Sequence, residues 1–535
     1  MVATSWLLLV ALLATASSAD ETASEKSQRA VQAGRQLEIG RKWNLAFEHY
    51  ESALKRWPDI TSLKHGLRRS RIQCTIARRY ADSSFHTSLV DLNRNDAMEL
   101  FDETLRKVRS NFVEKISLTS FVAHGTESVY LSLANQKFLD RHLPGTVPNN
   151  SHAIRDLRRV LFKRYWNRSI RSSAEAHRVV GEISQLAQAR LGLPPSSVVL
   201  EFIFGGCNAL DDYSGCLTPH RYADLNDNID GRFVGMGVEL KSEPGSGMLL
   251  VNVLPDSPAN QAGLRAGDHI TRINDSDCRN ISTDEAASLL KGPVGSRVAL
   301  QVHRPTRQQP LEVTIVRRSI VVRSIPLSCI LDERHHIGYI QMTGFQRTSP
   351  AELDAALAKL RGQGIKAVVW DLRHNPGGLL DAATEVLDRF IASGVLVSTR
   401  GRTWDQNRVY RAHTAGTCNL PLVVLTDGDS ASASEIVAGA VRDHQRGLVI
   451  GRRSYGKWSV QSIFPLSAST GLRLTTARFY SPHGHNLAKV GVKPDISVEA
   501  PKRDDNLYRR PTRETISTDP DIIKALEQLR GRLAG

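Results

Sequence analysis

From about residue 318 to residue 500 the chain alternates short β-branched runs with helical stretches, and this alternation limits its fold more than any other feature. IGYIQM, KAVVWDLR, LVVLTD and GLVIGR read as strands, while LLDAATEVLDRFIASG and SEIVAGAVRD carry helical spacing. A chain that leaves a strand and returns through a helix builds a parallel sheet with helices packed on it, so this stretch is an α/β domain. A closing helix, DIIKALEQLRG, ends the chain.

The preceding sequence has a different texture. From Phe233 to about Val316 it is rich in Gly and Val, with short β-like runs (FVGMGVELK, GMLLVNVLP, HITRIN, RVALQVHR, LEVTIVRR) and one helical stretch, TDEAASLLKG. Residues 80–225 read as mostly helical, and residues 20–75 as helical and rich in Arg. A length of 535 residues leaves room for three or four domains, each with its own core. With 41% hydrophobic and 23% charged residues the chain is neither largely disordered nor a disulfide-stapled miniprotein. No apolar run reaches the ~18–20 residues of a membrane-spanning helix, which excludes a polytopic membrane protein.

Seventy Lys and Arg against 55 Asp and Glu give a net charge of +15. That balance admits nucleic acid, anionic membranes or cell-wall surfaces as partners and does not choose among them. No nucleic-acid module is recognisable, and the arginines are scattered. The first residues, MVATSWLLLVALLATASSAD, read as a secretory signal over residues 1–19. An apolar stretch from Trp6 to Ala14 is followed by two cleavage patterns, Ala14-Thr-Ala16 and Ser17-Ser-Ala19, although no Lys or Arg precedes it; an uncleaved anchor or a misassigned start is the alternative. Six cysteines contain no CxxC pair, so no structural zinc site is expected. Cys207 and Cys216 bracket a loop that a disulfide could close in an oxidising compartment; two independent thiols are the alternative. Gly34, Ala46, Tyr50, Ala53 and Pro58 fit a single tetratricopeptide repeat, a pattern that an ordinary amphipathic helix pair also meets.

PLVVLTDGDSASASEIVAGAVRD is the segment richest in chemistry. A buried strand, Leu422 to Thr426, runs into a turn of small residues and then a helix starting near Ala433 or Ser434. A serine there, Ser432, presents its hydroxyl beside the first free N–H groups of the helix, which with the helix dipole stabilise a developing oxyanion. Ser432 and Glu435 also spell a capping box, which starts helices in proteins of every function. A nucleophilic serine needs a base, and Lys457 lies 25 residues on in a Gly-bounded loop between strands. Tyr455, Trp458 and Val460 offer it apolar cover, and burial lowers a lysine's pKa. A surface lysine in a hairpin is the plainer reading. Gly451 to Lys457 spell GxxxxGK, but Trp458 replaces the Ser or Thr a phosphate loop needs, and the continuation is strand-like. His413, His444, His483 and His485 are alternative bases, none in a catalytic context. Asn375-Pro376-Gly377-Gly378 forms a further strand-to-helix turn, where two glycines let a substrate carbonyl approach backbone N–H groups. In the β-rich insert, the loop Gly235-Met236-Gly237-Val238 precedes a strand, and DSPANQAGLRAGDHITRIN follows. Such loops bind a peptide's terminal carboxylate while the strand edge pairs with the peptide; a small β-domain with glycine turns is the alternative.

Over residues 200–500 these motifs, in this order, resemble the carboxyl-terminal processing peptidases, or tail-specific proteases. LDDYSG (210–215) and GRFVGMGVEL (231–240) resemble the family's entry into its PDZ domain, and SPANQAGLRAGD its PDZ core. DLRHNPGGLL, GDSASASEI, YGKWSVQ and KVGVKPD are similar to its catalytic domain. The resemblance implies a multidomain α/β and α+β chain: a crotonase-like α/β serine-protease core with an inserted PDZ domain and an N-terminal helical region. The expected divisions are a signal (1–19), a helical segment with a TPR-like repeat (20–80), a helical cap (81–230), the PDZ domain (231–317), the catalytic domain (318–500) and a C-terminal tail and helix (501–535).

It further implies Ser432 as nucleophile, Lys457 as general base, Gln461 orienting Lys457 and Glu435 in support. The oxyanion donors would be the N–H groups of Ala433 and of the Gly377-Gly378 turn. Phe233, Gly235, Met236, Gly237 and Val238 would bind peptide. Trp458 stands where the family usually has Gly, and is expected to leave the dyad intact while narrowing the site. The implied protein is an endopeptidase without metal or cofactor, exported to a bacterial periplasm or cell envelope. Its substrates would be proteins with exposed C-termini, with an activating partner and an anionic envelope surface as further candidates and no nucleic acid. A non-catalytic PDZ and helical-repeat scaffold of the envelope is the alternative.

Overall fold

Strands Ala367–Asp371 and Leu422–Thr426 are buried at every residue, which a strand achieves only in the interior of a sheet covered on both faces. In this computed structural model, which describes residues 23–145, 152–281, 283–499, 516 and 518–534, they are neighbours at the centre of a six-stranded sheet. The order is Leu327–Asp332, Ile337–Gln341, Ala367–Asp371, Leu422–Thr426, Leu448–Gly451 and Ile496–Ser497; the first pair is antiparallel and the rest parallel. Successive side chains along a strand point to opposite faces. Accordingly Val368, Trp370, Leu422 and Val424 pack with helices Ser349–Gly362, Leu380–Asp388 and Ala433–Asp443. Ala367, Val369, Val423 and Leu425 pack with Ile522, Ala525 and Leu529 of the helix Pro520–Ala534. A second sheet is antiparallel: Gly215–Leu217, Gly471–Tyr480, Val395–Gly401 and Arg408–Arg411, with Ser459–Pro465 also paired to Gly471–Tyr480.

The β-rich insert has its own core, formed by Met236, Met248, Leu250, Ile270, Ile273, Val298, Leu300 and Val302 among others. Its antiparallel sheet runs Val238–Glu243, Gly247–Val253, His269–Ile273, Arg297–His303 and Leu311–Val316, with Thr283–Leu290 as its longer helix. The sheet begins at Val238. Arg232–Gly235, the expected first part of this insert, pairs instead with Arg318–Val321 in a two-stranded ribbon, so the chain enters and leaves the insert side by side.

The chain divides into two compact units, one of which comprises residues up to 86, 90–98 and 118–206. Its described part is helical, beginning with Ala23–Ile39, Trp43–Arg56 and Thr61–Arg79. Tyr50 is fully buried where these three helices meet, and a Cβ at Gly34 or Gly66 would collide with its ring. The Tyr50 hydroxyl donates to Glu38 (2.7 Å), whose other oxygen accepts from Arg69 Nε (3.0 Å). Deeper in this unit Glu201 is fully buried; it ion-pairs with Arg79 and accepts from Ser128 Oγ at 2.6 Å. Cys207 and Cys216 are thiols, not a disulfide. The expected signal segment, residues 1–19, lies outside the described residues, as do residues 501–515 of the tail. Among the described residues no helix is long and apolar enough to cross a membrane.

Candidate active site

The central strand Leu422–Thr426 delivers the chain to a tight turn at 427–432. Asp427 shapes it: Oδ1 accepts the N–H groups of Asp429 (3.1 Å) and Ser430 (3.0 Å) and that of His374 (3.1 Å) from the adjacent turn. Ser430 Oγ donates to the Leu372 carbonyl at 2.9 Å, tying the two turns together. Ser432 then occupies the N-cap of the helix Ala433–Asp443 with φ 55° and ψ −113°, a conformation non-glycine residues rarely hold. Such strain at a half-buried serine is the kind that surrounding structure must enforce.

Glu435 does much of that enforcing. Its carboxylate is fully buried and accepts four hydrogen bonds: from Ser432 N–H (2.8 Å), Ser454 Oγ (2.6 Å), Gly456 N–H (2.7 Å) and Lys457 N–H (2.8 Å). Burial pushes this carboxyl above its ordinary pKa, and the four donors pull against that rise. The capping box read from the sequence is therefore present, and its acidic member also clamps the lysine loop.

The turn at 375–378 meets the serine directly. Gly377 has φ 100°, and a Cβ there would lie 2.7 Å from the Ala431 carbonyl oxygen and 2.8 Å from Ser432 Cβ. Only glycine permits this approach. Gly377, an expected oxyanion donor, gives its N–H to Asn375 Oδ1 at 2.9 Å. Gly378 and Ala433 N–H groups are claimed by no described residue, the latter because the first turn of a helix leaves its donors unpaired.

Lys457 is half-buried in its loop. Burial first, then the Arg473 charge, hold its amine below the ordinary lysine range, against the opposing pull of Glu435 and Asp211. Among the described residues no hydrogen bond joins Lys457 Nζ to Ser432 Oγ; Nζ lies over the Tyr213 ring, 5.0 Å from its centroid. Gln461, expected to orient the lysine, donates instead to Ser459 Oγ (2.9 Å) and Thr475 Oγ1 (3.3 Å). The strand pairing shifts register between Val460 and Gln461. Trp458 does not narrow the site, because its side chain is buried against Phe479, ring centroids 4.7 Å apart, and against Gly439.

Three of the four alternative bases are engaged elsewhere: His413 with Asp388, His444 with the Val395 carbonyl and His483 with Asp443. His374, Asp427 and Asp429 bring three potential ligand atoms within 4.8 Å of one another. Their hydrogen bonds, His374 Nδ1 to Asp429 at 3.1 Å among them, account for the cluster as part of the turn. Reasoning from sequence missed Tyr213 and Ser454, and named Asn375 only as part of a turn. Tyr213 stood inside the quoted motif LDDYSG, the one signal that pointed to it.

In the β-rich insert, Met236 is buried in the core, and its carbonyl accepts the Ala259 N–H (2.9 Å); the Gly237 carbonyl accepts that of Leu254 (2.8 Å). Gly237 has φ 84°. Val238 opens the edge strand, whereas Phe233 is paired with Ile320 in the ribbon and so stands off the loop it was grouped with.

Residues 336–498 match the model of peptidase family S41, and residues 250–304 that of the PDZ domain. A carboxy-terminal-processing protease of Bartonella bacilliformis is 39% identical over 55% of this chain and 68% of its own length. Carboxyl-terminal-processing proteases of Synechocystis and Picosynechococcus are 34% and 32% identical, over 54% and 63% of this chain and 68% and 77% of their own lengths. With more than two thirds of each relative covered, the chain belongs to peptidase family S41: it is a serine peptidase of the carboxyl-terminal processing type, and it carries a PDZ domain.

Proposed function

We propose that this peptidase cleaves exported proteins or peptides internally, after its PDZ domain has docked an unstructured C-terminal tail. Ser432 is the nucleophile and Lys457 the general base. The neutral amine takes the Ser432 proton as Oγ attacks the scissile carbonyl, and returns it to the leaving amine as the C–N bond breaks. Water then hydrolyses the acyl-enzyme with the same amine as base. Ala433 and Gly378 N–H groups receive the oxyanion, and Gly377 contributes by its close packing on the serine turn. Glu435 positions both partners through their main chains. The core is crotonase-like, and its site of action is a bacterial periplasm or envelope, where an activating partner and anionic surfaces would be met.

The observation that carries this reading is the single carboxylate, Glu435, that holds the main chain of both Ser432 and Lys457. The lysine's lowered basicity supports it, since an amine fully charged at neutral pH is no base. For the tail site, the support is an edge strand beginning at Val238 after a loop whose carbonyls at 236 and 237 are committed inward. Ser432→Ala and Lys457→Ala, assayed on a peptide with a free apolar C-terminus, test the dyad. Each should lose at least about 10³-fold in kcat. Undiminished cleavage by either would sink it.

A further inference from the structure

The Lys457 amine rests against one side chain whose placement the reaction above does not explain. Tyr213 lies in the segment leading into strand Gly215–Leu217, and that segment is fastened to Gly471–Tyr480 at several points. The Tyr213 carbonyl accepts from Arg473 Nε at 2.8 Å, Ser214 Oγ accepts the Thr475 N–H at 2.9 Å, and Cys216 registers with Leu472. The Tyr213 N–H donates to Asp211 Oδ1 at 3.2 Å. These bonds pin the main chain that carries the ring, and Lys457 Nζ sits 5.0 Å from the ring centroid. The other charged or titratable groups that act on this amine or on the ring are Glu435, Asp211, Asp212, Arg473 and Tyr455.

We propose that Tyr213 is a positioning residue that sorts Lys457 by charge, holding the ammonium against its ring and away from Ser432 and releasing the neutral amine to the serine. The ring face is the negative pole of a quadrupole and attracts a cation. A neutral amine loses that attraction and gains a lone pair that needs a donor, and the Ser432 hydroxyl is such a donor. Loss of the proton to water and engagement of the nucleophile are then one event. A charged lysine is kept from occupying the serine as a mere hydrogen-bond donor.

The proposal rests on Lys457 being the base, and its test separates the two ideas. The rising limb of kcat/KM against pH is measured on a peptide substrate for the full chain and for Tyr213→Leu, Tyr213→Phe and Tyr213→Trp. Removing the ring in Tyr213→Leu destabilises the ammonium, so the limb moves to lower pH by about 0.5–1 unit. Below its midpoint that variant is then about three- to tenfold faster than the unmodified chain. Tyr213→Phe keeps the ring and the limb, and Tyr213→Trp, with a stronger ring, moves the limb upward.

The sign of the shift is diagnostic. If Tyr213 were only apolar cover, its loss would admit water, ease the charging of Lys457 and move the limb to higher pH. An upward or absent shift in Tyr213→Leu overturns the proposal. If that variant fails to fold, an unmoved or downward-moved limb in Tyr213→Trp overturns it equally. Full activity of Lys457→Ala would instead remove the base reading itself.

Discussion

Glu435 Oε2 accepts the main-chain N–H of Lys457 at 2.8 Å, across 22 positions of sequence, and the same oxygen accepts that of Ser432 at 2.8 Å. One buried carboxylate oxygen thus sets the spacing between the serine turn and the lysine loop, while the other oxygen takes Ser454 Oγ and Gly456 N–H. Glu435→Ala leaves four donors unsatisfied in the interior. It is expected to cost about 3 kcal/mol or more of stability and at least about 10²-fold in kcat. Glu435→Gln retains one acceptor oxygen but turns an NH₂ toward donors, so its activity should lie between the two. Urea unfolding and steady-state kinetics on the three proteins check the ranking.

Gly377→Ala tests the contact between the two turns. The new Cβ meets backbone atoms at 2.7–2.8 Å that cannot swing aside, in a conformation of φ 100° that L-residues avoid. The strain alone is worth about 1–3 kcal/mol. Relief by displacing the Ser432 turn should lower kcat by about 10²-fold, with PDZ binding of a tail peptide unchanged. Thermal unfolding, kinetics and a peptide-binding titration read the three effects separately.

Arg373 joins the sheet to the C-terminal helix. Its guanidinium contacts Asp371, Asp519 and Asp521 at 2.7 Å each, Asp521 also takes Arg452 at 2.8 Å, and the Tyr339 hydroxyl donates to Asp371 at 2.8 Å. Arg373→Met leaves two buried carboxylates without their main partner, a loss of about 3–5 kcal/mol. A chemical-denaturation midpoint within experimental error of the unmodified chain would refute this account of the tether.

His142 makes the helical unit sensitive to acid. Burial, then the Arg141 and His86 charges, push its imidazole down to about 4. The unfolded chain binds the proton from its ordinary value of 6.5 downward, whereas the folded chain resists until about 4. Stability from this group is therefore complete above 6.5 and is lost as pH falls from 6.5 to 4. The loss is on the order of 2 kcal/mol, allowing for partial exposure. His142→Gln should flatten the fall in melting temperature across that window.

What could be read along the chain was whatever local pattern expresses. The buried strands and crossover helices around Leu422–Thr426 follow from apolar period and turn residues, and the Ser432–Glu435 box from spacing alone. Gly34 and Tyr50, matched from a single repeat pattern, meet because a glycine is the one residue that leaves room for the ring. Gln461 was assigned by counting residues from Lys457, and a count does not reveal that its amide donates to Ser459 and Thr475 within its own sheet. Gly377 was counted as a donor because a turn motif does not reveal that Asn375 Oδ1 already takes its N–H.

By itself the sequence determined the α/β core, a separate β-rich insert and the residue types able to do acyl chemistry, since these depend on periodicity and on neighbours within a few positions; the PDZ reading of the insert came from the order of its motifs. Only the tertiary structure decided that Glu435 reaches Lys457, that Gly377 rests on Ser432 and that Tyr213 faces the amine. Each of these joins segments 22 to 244 residues apart, from Glu435–Lys457 to Tyr213–Lys457. Long-range contacts of that kind are set by how sheets and helices pack, and a one-dimensional pattern carries no distance across that packing.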